Sequence, residues 1–244
     1  MIRRTLIRGL AGLALVVGAE ALYAVLRPAP KQEEFDPSAT FGNSSFPEMR
    51  VAVLGDSTVT APGVSGPAEI WVSLICQRLA ETHHVTVKSF AIGGSMAHDL
   101  VLEQLDPAIE FAPNLVIISV GANDALKGVT PKKFEENLEI LVARFRGAGT
   151  VVVQSGVGDL GTIPRLLPPL RQLFSRRALR FNQIHEAVAG RHGGWVVPQR
   201  DSPADLWYRD RGMWSADLFH VSSRGHEVWA DLGWKTVAEA LQIH

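Results

Sequence analysis

The chain has a single cysteine in 244 residues, a formal net charge of only -1, no phosphate-binding G-x-x-x-x-G-K-[ST] loop and no H-E-x-x-H. Each shortage removes a class of function. A lone Cys76 can close no internal disulfide, and it sits among Trp71, Leu74, Ile75 and Leu79, as a small buried hydrophobe does. A charge so close to zero gives no general attraction to nucleic acid, which needs a concentrated basic surface. No metal site is expected, because cysteines cannot pair and His83-His84 open a strand, where neighbouring side chains leave by opposite faces. No nucleotide or other cofactor is expected either, since the first strand runs into an acid and a serine. Hydrophobic residues at 46% and charged residues at 20% describe a globular protein with one domain of ordinary size.

What the sequence does contain begins at its N-terminus. Arg3, Arg4 and Arg8 precede eleven uncharged residues, Gly9 to Ala19, after which Glu20 interrupts a run that resumes to Leu26. Residues 1–26 therefore read as a secretory signal peptide, with Ala19-Glu20-Ala21 as its cleavage site, or as an uncleaved signal-anchor helix. Either form exports the rest of the chain, secreted or held at the membrane, because the arginines stay on the cytoplasmic side. Residues 27–49 carry Pro28, Pro30, Pro37 and Pro47 among charges and serines and read as an extended spacer. The folded domain is then 50–244.

Within it, β-branched runs at 51–54, 85–90, 115–120, 150–155 and 195–198 alternate with stretches whose apolar residues fall at helical spacing. One such stretch, with Phe134, Leu138, Leu141, Val142 and Phe145, follows the helix-start pair Thr130-Pro131. The alternation predicts a flavodoxin-like three-layer α/β/α sandwich around a five-stranded parallel sheet, whose ligands bind beyond the C-terminal strand ends. Four segments bring small or ionisable groups to that edge: Gly55-Asp56-Ser57-Thr58, "AIGGSM", "GANDAL" and "SADLFH". Singly each is ordinary turn chemistry. Together they hold a hydroxyl, a base, a carboxylate and amide donors, the parts an acyl-transfer site requires.

In this order and spacing the segments resemble the signature blocks of the SGNH hydrolases, the GDSL esterase/lipase family. Block I is matched by "VLGDSTV", block II by the glycine in "AIGGSM", block III by "VGAND" and block V by "DLFHVSSRGH". The resemblance covers the chain from about Arg50 onward and departs from the family at Thr58, where the usual residue is leucine. It implies Ser57 as nucleophile, His220 as base and Asp217 as the acid that orients it. Oxyanion donors would be the N–H groups of Ser57 and Gly94 and the side-chain amide of Asn123, with Gly94 favoured over Gly93 by the family's small-Gly-small turn. A preorganised donor of this kind typically lowers a barrier by ~3 kcal/mol. An early nucleophile and the absence of G-x-S-x-G separate the chain from the α/β-hydrolases. His226 is a rival base, but no acid stands three residues before it.

The expected activity is hydrolysis of a small, lipid-like or O-acyl-glycan carboxylic ester through an acyl-enzyme, without metal or cofactor. Two alternatives are a polysaccharide O-deacetylase and a catalytically silent sugar- or lipid-binding module; every reactive group being present weighs against the second. For the pocket, the apolar loop around Ile163, Leu166 and Leu167 is expected to line or cap the acyl site, with Trp214 as a further wall.

Overall fold

The computed structural model describes residues 17–24, 26–199 and 204–243. Residues 17–24 form a helix, α1, and a largely extended segment leads to a short strand, β1 (Ala39–Phe41). The alternation expected from the sequence follows: β2 (Glu48–Gly55), α2 (Ser57–Thr60), α3 (Trp71–Leu79), β3 (His84–Ser89), then α4 (Ala97–Asp99) and α5 (Leu105–Glu110), joined by a π-helical turn, Leu100–Gln104. Next come β4 (Leu115–Ser119), α6 (Ala122–Leu126), α7 (Pro131–Gly147), β5 (Val151–Ser155), α8 (Leu170–His192), β6 (Trp195–Val197), α9 (Ala204–Arg209) and α10 (Ser223–Leu241). At the start of α7, Pro131 needs no N–H partner and the Thr130 side chain accepts from Lys133 N at 3.2 Å, so the sequence signal there has a direct physical basis.

The sheet has six strands in the order β1-β3-β2-β4-β5-β6. The five strands read from the sequence are all parallel and take the flavodoxin order; the sixth, β1, pairs antiparallel with β3. The five-strand expectation was one short because β1 lies in the segment read as a spacer and is three residues long, too short to show a period of two. The spacer is therefore partly sheet, and an edge strand begins before residue 50.

Alternating side chains of the central strands divide the interior into two cores. Ala52, Leu54, Val116, Ile118 and Val152 pack with α5, α7 and α8 on one face, while Val51, Val53, Leu115, Ile117 and Val153 pack with α3 and α10 on the other. Every residue of β4 is buried, which accounts for its unbroken apolar run. Register aligns Gly55, Ser119, Ser155 and Val197 at one edge of the sheet, and the polar segments leave from there.

Candidate active site

Gly55 ends β2 where a Cβ would meet Ser119 O at 2.7 Å and Val59 Cγ2 at 2.8 Å, so a side chain there would push the strand apart. Its backbone is gripped from the other side by Gln104, whose Oε1 accepts from Gly55 N at 2.9 Å and whose Nε2 donates to Gly55 O at 2.9 Å. Gln104 is fully buried at the end of the π-helical turn, a distortion that often marks functional sites. The chain then turns into α2 with Asp56 as its N-cap, accepting from Thr58 N at 2.9 Å, and Ser57 becomes the first residue of the helix. Among the described residues the Ser57 N–H has no acceptor within the chain, as befits a first-turn donor.

Asp217 and His220 lie between the 3-10 turn Arg211–Met213 and α10. The His220 ring nitrogen Nδ1 is 2.6 Å from Asp217 Oδ2. The other carboxylate oxygen, Oδ1, accepts from Ser215 Oγ at 2.7 Å, Phe219 N at 2.8 Å and His220 N at 2.9 Å. Burial alone would raise this carboxyl, but the His220, Ser215 and Phe219 donors outweigh it and hold the group below the usual carboxylate range. Arg165 Nη1 donates to Asp217 O at 3.0 Å and ties the turn to the loop before α8.

Ser57, His220 and Trp214 open into one cavity of about 330 Å³, within the usual range for a small-molecule site. Its walls are largely apolar, with Leu160, Ile163, Ala178, Leu179, Trp207 and Phe219 among them. Among the described hydrogen bonds none joins Ser57 Oγ to the His220 ring, a contact that commonly tightens only with substrate bound. The expected pocket loop contributes Leu160 and Ile163, but not the two leucines named from the sequence. Leu166 turns into the core at 5% exposure and Leu167 stands at the surface at 44%, because Arg171 Nε donates to Leu166 O at 2.6 Å and folds the loop onto α8. Arg171 is thus a brace for that loop, and Leu173 on α8 is 46% exposed.

Gly94 and Asn123 lie outside the cavity lining, and Asn123 is tied to the site through Asp56. Asn123 Nδ2 donates to Asp56 Oδ2 at 3.0 Å and to Ser95 O at 3.1 Å, so both its hydrogens are engaged in this conformation. Gly94 takes φ +81, which suits glycine, and its carbonyl accepts from Lys127 Nζ at 2.8 Å. Gly93 has no such φ; a side chain there would collide with the Glu34 carboxylate. Burial pushes the Asp56 carboxyl up, against hydrogen bonds from Thr58 and Asn123 and the charge of His220. Asp124 is pushed up to about 6, by burial first and then by Asp56 and Asp99, although Ala97 N donates to it at 3.0 Å.

His226, the rival base, is buried in the first turn of α10, with Trp71 N donating to its Nδ1 at 3.2 Å. Burial, with the His220 charge, lowers it to about 3, so it is neutral at ordinary pH. Cys76 is buried, and its thiol is pushed up to about 12. Residues 156–161 have the G-x-G-x-x-G spacing of a dinucleotide loop, contrary to the expectation that nothing nucleotide-like occurs. They end in a three-residue 3-10 turn rather than opening a long helix, and Asn182 fixes them by bonding both Val157 N and Val157 O, at 2.7 and 2.8 Å. Gln104, Ser215, Asn182 and Arg165 were missed from the sequence. Gln104, Asn182 and Arg165 act from 49, 25 and 52 positions away, where only the buried polar type of Gln104 amid an apolar helix gave any signal, whereas Ser215 stands two residues before Asp217 in "SADLFH" and was within reach of a local reading.

Residues 53–228 match the family model described as GDSL-like Lipase/Acylhydrolase family. A GDSL-like esterase of Mycobacterium tuberculosis is 31% identical over 201 residues, covering 80% of this chain and 63% of that protein. The chain therefore spans under two thirds of that relative's length. Esterase TesA of Pseudomonas aeruginosa is 29% identical over 60% of this chain and 68% of its own. A crystal structure of TesA superposes with a TM-score of 0.65 at 26% identity, covering 78% of this chain and 99% of that one. An acetylxylan esterase from Geobacillus stearothermophilus, Axe2, shares the fold with a TM-score of 0.63 at 15% identity, over 84% and 97% of the two chains.

Proposed function

The chain belongs to the GDSL-like lipase/acylhydrolase family, and on that premise we propose that it is a serine esterase working through an acyl-enzyme, with Ser57, His220 and Asp217 as its triad. One observation carries the reading: the Asp217–His220 pair, closed at 2.6 Å, and Ser57 open into the same apolar cavity. Asp217 accepts a hydrogen bond from the Nδ1–H of His220 and so leaves Nε2 free to take a proton. Ser57 Oγ attacks the ester carbonyl carbon as its proton passes to His220 Nε2, and the tetrahedral oxyanion forms. Collapse breaks the bond to the alkoxy oxygen, which leaves as the alcohol with the proton from His220. Water then attacks the acyl-enzyme with His220 again as base, releasing the acid and restoring Ser57.

The N–H groups of Ser57 and Gly94 and the amide of Asn123 are the proposed oxyanion donors. For Asn123 this requires one amide hydrogen to leave Asp56 or Ser95 as the oxyanion forms. The apolar walls favour an acyl chain over the acetyl group of a glycan, so the substrate class is a lipid-like or small carboxylic ester. Export is part of the proposal and rests on Arg3, Arg4 and Arg8 before the uncharged run.

The test is hydrolysis of p-nitrophenyl esters from acetate to palmitate by the full chain and by Ser57→Ala. Loss of at least 10³-fold in the variant is expected, as for removal of a covalent nucleophile. Equal rates would remove the esterase reading, and a fluorophosphonate that still labels Ser57→Ala would move the nucleophile elsewhere.

A further inference from the structure

Helix α1 is built inside out for a helix in water. Its acid points inward: Glu20 is 7% exposed, while Leu22, Tyr23 and Leu26 are 59%, 51% and 68% exposed. The inner face, with Val17, Glu20, Ala24 and Arg27 at helical spacing, lies against the domain, and Ala24 packs on the core beneath α8. An aqueous surface helix would show the reverse pattern, apolar residues in and the acid out.

The inward acid has a defined partner. Glu20 Oε1 accepts from Leu167 N at 2.6 Å and Oε2 from Leu170 N at 3.1 Å, at the start of α8, where Pro169 supplies no side-chain cap. A carboxylate on a helix N-terminus satisfies orphan donors and meets the positive end of the dipole. Arg165 completes the lock. Its Nε donates to Ala24 O at 2.7 Å, its Nη2 to Arg27 O and its Nη1 to Asp217 O at 3.0 Å. The C-terminal end of α1 is thus joined through one guanidinium to the turn that carries the proposed triad acid.

The same residues would be cut apart by cleavage after Ala21, which would take Glu20 with the leader. We propose that α1 is retained, and that its outer face, together with the exposed Leu167 beside it, lies in the interface of a lipid bilayer. The occupant is identified by what precedes α1: sixteen further residues, uncharged from Gly9 and headed by Arg3, Arg4 and Arg8, an apolar stretch of eight residues with a basic head, which is too short to cross a bilayer and is composed as a segment that lies on an anionic lipid surface. No helix among the described residues is long and apolar enough to cross a membrane, so the contact that α1 itself makes is interfacial. Burying the acid against α8 lets a segment that contains a charge lie on lipid without exposing that charge to it. The loop 159–170 then has two duties, since Leu160 and Ile163 wall the cavity while Leu167 and Leu170 hold the anchor. The inference rests on the proposed esterase activity and deepens it by assigning esters presented at a membrane surface as substrate.

The test uses the full chain, isolated from the membranes of an expressing bacterium and reconstituted in phosphatidylethanolamine–phosphatidylglycerol vesicles. Intact mass is expected to retain residues 1–26; a mature N-terminus at Leu22 would overturn the proposal. An environment-sensitive thiol probe at Leu167→Cys is expected to shift to the blue and to lose at least half its emission to doxyl-labelled lipid. The same probe at Asp231→Cys, on α10 across the sheet, is expected to stay unquenched, and equal behaviour at the two positions would overturn the proposal. Cys76 is buried and does not compete for label. Both readouts are taken equally on Ser57→Ala protein, so failure of the esterase reading leaves them unmoved, and failure of docking leaves p-nitrophenyl acetate turnover unmoved.

Discussion

Asp217→Asn tests the proposed triad through a choice that the structure forces on the new side chain. Oδ1 faces three donors, Ser215 Oγ and the N–H groups of Phe219 and His220, while Oδ2 faces only the His220 ring. An asparagine must put its NH2 at one of these two places. At the first it would oppose two backbone N–H groups, which can never become acceptors, at about 1–3 kcal/mol for each unmatched donor. At the second it meets one ring nitrogen, which can become an acceptor by moving its proton to Nε2. The second arrangement costs less, and it leaves His220 protonated at the nitrogen that must receive the Ser57 proton.

The expected result is a fall in kcat of about 10⁴-fold, equivalent to ~5.5 kcal/mol of barrier, with KM changed less than about threefold. Turnover of p-nitrophenyl butyrate measures it, and the imidazole nitrogen shifts of His220 report the tautomer. Ser215→Ala is the companion, because it keeps the carboxylate and removes one of three donors to Oδ1. A hydrogen bond to a charge is worth at least ~1.5 kcal/mol, so a loss near tenfold is expected. An Asp217→Asn enzyme within tenfold of the parent, or one whose His220 stays protonated at Nδ1, would refute the reasoning.

Asn123→Ala is expected to lower kcat by about 10²–10³-fold with little change in KM, as loss of an oxyanion donor does, and less than fivefold would remove Asn123 from that role. Asp124, pushed up to about 6 from 3.8 by burial, costs stability as it ionises between those values, so Asp124→Asn should raise Tm at pH 8 and leave it unchanged at pH 3. The gain is on the order of 2–3 kcal/mol. His185, lowered to about 4, and His226, lowered to about 3, are neutral in the fold and take a proton only in the unfolded chain below 6.5. Their stabilisation is complete above pH 6.5 and is lost as pH falls toward 4, by up to about 1.4 kcal/mol per pH unit for each. Relative to the parent, the urea midpoint of His185→Gln should therefore rise as pH falls from 7 to 5, a comparison in which the raised carboxyls of Asp56 and Asp124 cancel, and a constant difference would contradict the burial argument. Gly94→Ala should cost about 1–2 kcal/mol of stability from backbone strain alone, since a Cβ there meets nothing within 4 Å.

The parallel sheet was legible because each central strand is buried on both faces, which leaves short apolar runs such as 115–119 that no amphipathic helix produces. The candidate site was legible for a different reason. Parallel strands in register deliver their C-terminal ends to one line, so residues that directly follow strands, Ser57 after β2 and Asn123 after β4, converge without any knowledge of packing. Where a residue acts from elsewhere, that logic fails. Gln104 closes on Gly55 from 49 positions away, and Arg165 reaches Asp217 from 52, by side-chain lengths that no local pattern encodes. Leu166 and Leu167 were misread for the same cause: apolar character said that the loop would bury something, but the Arg171 contact decides which residues turn inward.

The segment read as a spacer carries the largest lesson about the site. Its composition is poor in core residues, yet it holds position by backbone and polar contacts: Phe35 N donates to Thr60 O at 2.8 Å, and the Gln32 side-chain amide lies 3.3 Å from Ser215 Oγ. Ser215 is also the residue that holds Asp217 Oδ1. Gln32, Arg165 and Glu20 together form a path from the helix before the domain to the carboxylate that orients His220, made entirely of groups a hydrophobicity pattern ignores. The candidate-site edge of the sheet is therefore assembled from both ends of the chain, and a protein cut at residue 50 would lose β1, Gln32 and two of the three partners of the Arg165 guanidinium at once. Such a truncation should lower kcat more than KM, because what it removes positions Asp217 while the cavity walls, all from residue 56 onward, stay in place.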